Sequence, residues 1–255
     1  MSNGSRIIAW AAAGALSALV AGSAAAAEIN VVSTPGPMPV VMGALVPAFE
    51  RASGHKVTIK FQAVPQTAKE LKEGAAIDLL IADEEVFGDF VKEGRVAAGG
   101  GTKVMLSRVG VAVKAGAPKP DIGSADALKA ALIAAKSVAY SQGASGRHFL
   151  TVIARLGLVD TLKPKTVIVQ GKPVGAAVAA GEAEIGVQQV AELLPVPGID
   201  LVGPLPGDLQ KIIVYDADIP SGAKNAEAAK ALIAFLSSEA AVSMLKQKGM
   251  DPAVH

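Results

Sequence analysis

Glu28-Ile-Asn-Val-Val-Ser33-Thr-Pro-Gly36-Pro37, leading into Met38-Pro-Val-Val-Met-Gly-Ala-Leu45-Val-Pro-Ala-Phe49-Glu-Arg-Ala-Ser-Gly54, decides how the chain is read. A short β-rich run over Glu28 to Ser33 stops at hydroxyls, proline and glycine. A stripe of Val41, Leu45 and Phe49 then predicts a helix from Met38 to Ala52, with Gly54 as its stop and a kink or loosening expected at Pro47. The alternation continues downstream. Strands are expected at Lys56 to Phe61, at Ile77 to Ala82 (apolar enough to be central), at Met105 to Val113 and at Ser137 to Tyr140. Later strands are expected at Thr166 to Gln170, Ala183 to Gln188 and Lys211 to Tyr215. Between them fall helices at Val86 to Glu93, Ala125 to Lys136, the segment after Gly146 up to Leu156, and Gly175 to Ala180, with 224–236 and 238–248 closing the chain. Strands alternating with helical stretches are the pattern of α/β units on mostly parallel sheets.

Upstream of Glu28 the chain has a different character. Arg6 precedes an apolar run of 14 residues, Ile7 to Val20, shorter than the ~20 needed to span a bilayer. Small residues follow, with Ala25 and Ala27 forming an A-x-A type site, so residues 1–27 are expected to be a cleaved signal peptide and the mature protein periplasmic. Removing 27 of 255 residues leaves 228, carrying 23 basic and 23 acidic side chains. A balanced charge argues against nucleic acid as a partner, because neutralising phosphates needs a basic excess. There is no cysteine, which excludes thiolate chemistry and disulfides. The three histidines, His55, His148 and His255, are scattered, so no metal site on them and no cofactor is expected.

Two strand-loop-helix junctions are the candidates for chemistry: Ser33-Thr34-Pro35-Gly36 and Ser141-Gln-Gly-Ala144-Ser145-Gly146. Free N–H groups at a helix start, with hydroxyls beside them, make an anion site. Ordinary N-capping explains the same residues equally well. Arg147, in the first turn of a helix, opposes the helix dipole, which makes it a candidate clamp for a carboxylate. Asp83-Glu84-Glu85 either cap the following helix or line a cleft. There is no phosphate-binding loop, no dinucleotide fingerprint and no hydrolase nucleophile elbow.

With these residues in place, the chain resembles the molybdate-binding-protein family of ABC-transporter solute receptors over nearly all of its mature length. The features that carry the likeness are the strand ending at Ser33, Leu45-Val-Pro-Ala-Phe-Glu-Arg-Ala-Ser-Gly54, Asp78-Leu-Leu-Ile-Ala-Asp83, Gly181-Glu-Ala-Glu-Ile-Gly186, Asn225 to Leu236 and Gly249-Met-Asp-Pro252. The resemblance implies a type II periplasmic-binding-protein fold: two α/β lobes, about 28–107 plus 209–255 and about 108–208, joined by two crossovers. It also implies a monomer that traps a small anionic ligand between the lobes and partners with the membrane permease of an ABC importer.

Carried over by position, Ser33 matches the family's first ligand serine, while the second falls near Ala82, where the hydroxyl is missing. The Pro-Ala-Gly stretch of the family is here Ala144-Ser-Gly-Arg147. Its tyrosine strand is replaced by Gly186-Val-Gln188-Gln189. The expected ligand-binding set is therefore Ser33, Thr34, Ala82, Ser141, Ala144, Ser145, Gly146, Arg147, Gln188 and Gln189. An arginine and two glutamines suit an organic carboxylate better than molybdate. The alternative expectation is an enzyme resembling aconitate isomerase, which interconverts unsaturated organic acids without a cofactor. Its acid/base candidates would be His148, Asp83 and Glu84.

Overall fold

The computed structural model describes residues 26–94, 96 and 101–253. Apart from Ala26 and Ala27, the expected signal peptide lies outside the described residues, as does His255. The opening unit is β1 (Glu28–Ser33) and α1 (Met38–Ser53). Met38, Val41, Met42, Leu45 and Phe49 of α1 are buried, and Gly54 closes it at φ 76°. The helix runs unbroken through Pro47. Pro47 cannot donate to the carbonyl of Gly43, but both residues lie on the exposed face, where that carbonyl is open to solvent.

The chain continues through β2 (Lys56–Phe61), α2 (Val64–Lys72), β3 (Leu79–Asp83) and α3 (Glu84–Lys92) to the long β4 (Thr102–Lys114). Next come α4 (Ala125–Ala134), β5 (Val138–Ser141), α5 (Ala144–Arg155), α6 (Val159–Leu162), β6 (Thr166–Val169) and α7 (Val174–Ala179). The last stretch is β7 (Ile185–Gln189), α8 (Val190–Leu193), β8 (Ile199–Pro204), β9 (Ile212–Asp218), α9 (Ala226–Leu236), α10 (Glu239–Gln247) and β10 (Met250–Pro252). Five of these were not anticipated: α2, the four-residue α6 and α8, β8 and β10. Only Thr67 of α2 is buried, so it carries little apolar period. Strand β8 ends in Gly203 and Pro204, and three-residue β10 exists through its pairing with β4.

The strands follow the order β2-β1-β3-β9-β4-β7-β5-β6, with β8 and β10 also on β4. Strand β4 belongs to two sheets. It pairs with β9 as far as Arg108↔Ile212 and with β7 from Val109↔Gln189 onward. This is a two-lobed α/β fold whose lobes share one strand. The sheets are mixed, where mostly parallel ones were expected. Parallel pairing is confined to the flanks, β2-β1-β3 and β6-β5-β7. The centre is antiparallel because β4 and β9, next to the passages between lobes, run against their neighbours. All five residues of β3, and all five of β7, are buried. The carboxyl ends of these two central strands deliver Asp83 and Gln189 to the gap between the lobes, the usual ligand position in open α/β sheets.

One buried carboxylate ties the first lobe together. Asp78 accepts from the backbone N–H groups of Asn30, Lys224 and Asn225, each at 2.9 Å, and from Asn225 Nδ2 at 3.2 Å. Burial pushes its carboxyl up, but these donors together outweigh burial and hold it below the usual range.

Candidate functional site

A cleft of about 410 Å³ opens between the lobes, and both junctions reach it. Thr34 and Gly36 line it from the end of β1; Ser141, Ala144 and Arg147 line it from the β5–α5 turn. Gln188 and Gln189 come from the end of β7, and Asp83 from the end of β3. Of the expected ligand set, Ser33, Ala82, Ser145 and Gly146 are not on the cleft wall. Ser33 is fully buried and its hydroxyl donates to the Thr34 carbonyl at 3.0 Å. Ala82 is likewise fully buried inside β3.

Capping does not explain the junctions. Helices α3, α4 and α10 have side-chain caps, from Asp83, Ser124 and Ser238. Neither α1 nor α5 has one. Gly143 is the N-cap of α5, and the first backbone bond of the helix is from Arg147 N–H to the Gly143 carbonyl at 2.9 Å. The N–H groups of Ala144, Ser145 and Gly146 are thus the free donors of the first turn. Thr34 Oγ1 and Ser145 Oγ are both buried with no hydrogen-bond partner. A buried, unmatched hydroxyl costs about 1–3 kcal/mol, so a ligand that supplied a partner to Thr34, the one of the two on the cleft wall, would be stabilising.

Two glycines explain the shape of the turns. Gly36 sits at φ 67°, and a β-carbon there would lie 3.5 Å from both Gln189 Nε2 and Tyr215 Oη. Those two groups form the floor: Tyr215 Oη lies 3.0 Å from Gln189 Nε2 and 3.1 Å from Oε1, joining β9 to β7 across the lobe boundary. Burial holds the Tyr215 phenol well above its usual range, so it stays neutral. At Gly146 a β-carbon would fall 1.5 Å from the Ser141 carbonyl oxygen. Only a glycine lets α5 start so close to its own strand.

Charges line the cleft in opposed pairs. Arg147 Nη2 lies 3.1 Å from Glu85 Oε2 and 3.4 Å from Asp83 Oδ1, reaching from the second lobe to the first. Lys211 also holds Glu85. That donation from Lys211 keeps the Glu85 carboxyl below its usual range, against burial and with help from Arg147. Burial pushes the Asp83 carboxyl up, and Arg147 pulls against it. Lys172, after β6, lines the cleft and pairs with Glu182 at 2.6 Å. Glu192 on α8 accepts from Gln188 Nε2 at 2.7 Å, and burial pushes its carboxyl up to about 7.

The proposed acid/base candidates separate in the same way. Asp83 is on the cleft wall. Glu84 is not; it lies 3.8 Å from Lys103 at the surface. His148 is not either: its Nε2 is 2.8 Å from the Leu209 carbonyl, which makes Nε2 the protonated nitrogen and the ring a link between α5 and the return passage. Lys172, Glu192 and Tyr215 were missed. The i, i+4 spacing of Gln188 and Glu192 was a signal for one of them, but α8 is four residues long and does not show as a helix in sequence. Among the described residues no group of three or more His, Asp or Glu side chains is arranged to hold a metal.

The chain is similar in sequence and in fold to known proteins. A family model described as bacterial extracellular solute-binding protein matches residues 29–251. Aconitate isomerase from a Pseudomonas species is 37% identical over 231 residues, covering 83% of this chain and 84% of the relative. A molybdate-binding protein of Azotobacter vinelandii is 28% identical over 240 residues, covering 91% of this chain and 92% of the relative. Among solved structures, the tungstate-binding protein of Desulfovibrio alaskensis G20 superposes with a TM-score of 0.68 at 15% identity, over 90% of this chain and 100% of that one.

Proposed function

The chain belongs to the bacterial extracellular solute-binding protein family, and from that premise we propose that its cleft captures a small organic acid bearing more than one carboxylate. One observation carries the reading. The uncapped start of α5 and the unpartnered Thr34 hydroxyl line one cleft together with Arg147 and Lys172. Donors on opposite walls and two cations suit several planar carboxylates, and about 410 Å³ suits an organic molecule. The lobes would divide as 28–107 plus 209–255 against 108–208 and close on the ligand, with greater affinity for the closed form driving closure. The protein would be exported through cleavage near Ala27 and act as a monomer delivering its ligand to a membrane permease. A thermal-shift panel of oxyanions and of di- and tricarboxylates tests this. Polycarboxylates should raise Tm by several degrees while molybdate and sulfate do not; a panel in which no anion raises Tm defeats the reading.

A second reading is an isomerase of the aconitate type. It is favoured by the cleft carboxyl of Glu192, poised at about 7, and by the likeness to aconitate isomerase. A group titrating there can both take and return a proton at neutral pH. Following cis- and trans-aconitate by proton NMR in the presence of the protein separates the two: interconversion above background makes it an enzyme, and none leaves it a receptor.

A further inference from the structure

Glu192 poses a physical problem for a cleft that binds anions. It lines that cleft, and among the described residues no lysine, arginine or histidine nitrogen lies within salt-bridge distance of it. Asp83, the other acid on the wall, is matched by Arg147, and the acids just outside it are matched too, Glu85 by Arg147 and Glu182 by Lys172. An ionised, unpaired Glu192 would repel the ligand it faces. The hydrogen bonds around it favour the carboxylate, and it is burial that opposes them; what they do fix is where a proton can sit. The Val174 backbone N–H donates to Gln188 Oε1 at 2.8 Å, which fixes the amide of this buried glutamine. Gln188 Nε2 must then point at Glu192 Oε1, where it donates at 2.7 Å. One carboxyl oxygen is thereby committed as an acceptor, leaving the other to carry a proton.

We propose that Glu192 binds the ligand as a neutral acid, its second oxygen carrying the proton and donating a hydrogen bond to one ligand carboxylate, so that the cleft takes up ligand and proton together. This rests on the reading of the cleft as a polycarboxylate site. The charged surroundings leave the proton on Glu192. Tyr215 and Asp83 are the titratable groups on the floor, with Arg147 beyond them already engaged by Asp83 and Glu85. On the elements packed against α8, Arg108 of β4 pairs with Asp251, Lys103 with Glu84, and Asp200 of β8 accepts from Gly116 N–H. Lys114 at the end of β4 is exposed, and on α1 Glu50 accepts from Val57 N–H while Arg51 is exposed. Burial raises the Glu192 carboxyl to about 7, against the pull of Gln188 and Gln189, so the neutral form is available at neutral pH and is lost as pH rises through that value.

Calorimetric titration of wild type and Glu192→Gln with trans-aconitate, from about pH 6 to about pH 9 in buffers of differing ionisation enthalpy, tests the idea. Wild-type affinity should fall about tenfold per pH unit above about pH 7, with about one proton taken up per ligand at the alkaline end. Glu192→Gln keeps a neutral donor, so it should bind equally across the range and outbind wild type at high pH. Ligand ionisation affects both proteins alike, so their difference isolates Glu192. Wild-type binding without proton uptake overturns the inference and leaves the polycarboxylate reading standing, whatever the variant does. An equal fall in the folded variant, or its loss of binding at every pH, overturns it too. If trans-aconitate, citrate and tricarballylate all fail to bind wild type at about pH 6, both ideas fall.

Discussion

The β1–α1 and β5–α5 junctions look alike in sequence, each a strand stopping at a serine before a turn and a helix, yet the structure equips them differently. At the first, Pro37 and Pro39 have no N–H to give, and Val40 N–H is used by the Pro37 carbonyl at 3.1 Å. What that junction presents to the cleft is a side chain, the Thr34 hydroxyl, beside the left-handed Gly36. At the second, the backbone supplies the donors, because α5 starts uncapped and Gly146 lets it seat directly on the Ser141 carbonyl. Arg147 then reaches back to Asp83 and Glu85 on the other lobe. One wall offers a hydroxyl and the other an electropositive helix start. Similar residue types at a helix entrance do not have to use the same chemistry.

This contrast can be broken by substitution, starting where the effect is largest. Gly146→Ala drives a methyl into a backbone carbonyl that cannot give way. It should cost at least about 3 kcal/mol, a Tm drop of roughly 6 °C or more, and abolish ligand capture. Gly36→Ala should cost only about 1–2 kcal/mol, the penalty of a left-handed alanine with ordinary contacts around it. Equal losses in thermal melts would mean that the two turns are held alike.

Arg147→Ala separates binding from folding. Its pair with Glu85 is about half exposed, while Asp83 is largely buried and can take a proton once Arg147 is gone, so stability should fall by only about 1 kcal/mol. Ligand affinity, measured by calorimetry, should fall about 10- to 100-fold. An unchanged affinity would show that Arg147 only ties the lobes together.

The hydroxyls give the finest test. Thr34→Val preserves shape and removes an oxygen that has no partner in the free protein, so stability should hold or rise slightly while affinity drops about tenfold. Ser145→Ala should gain up to about 1 kcal/mol and leave affinity unchanged, because Ser145 is buried behind the cleft wall. Equal affinity losses would place both hydroxyls on the ligand.

Much of this architecture was legible without coordinates. Strand β3 is central, and the apolar stripe of α1 packs inward, because period-2 and period-3.6 burial leave direct traces in a sequence. Thr34, Ser141, Ala144, Arg147, Gln188 and Gln189 were readable as candidates because strand ends with hydroxyls and amides are uncommon inside a core. His148 was misleading for the opposite reason. Its neighbour in sequence faces the cleft, but one residue along a helix turns the side chain by about 100°, and the ring meets the Leu209 carbonyl instead.

The sequence by itself determined the alternation of strands and helices, the cysteine-free balanced charge and the two glycine- and serine-bearing turns, all of which depend on neighbours along the chain. Only the tertiary structure decided which residues share the cleft. Glu192, Lys172 and Tyr215 are separated by up to 43 positions, and their meeting depends on β4 running through both sheets, with β9 on one part of it and β7 on the other. The tertiary structure also raised the Glu192 carboxyl to about 7, since burial outweighs the pull of Gln188 and, among the described residues, no cation lies within salt-bridge distance. Desolvation is a property of the packed surroundings, and no local pattern encodes it.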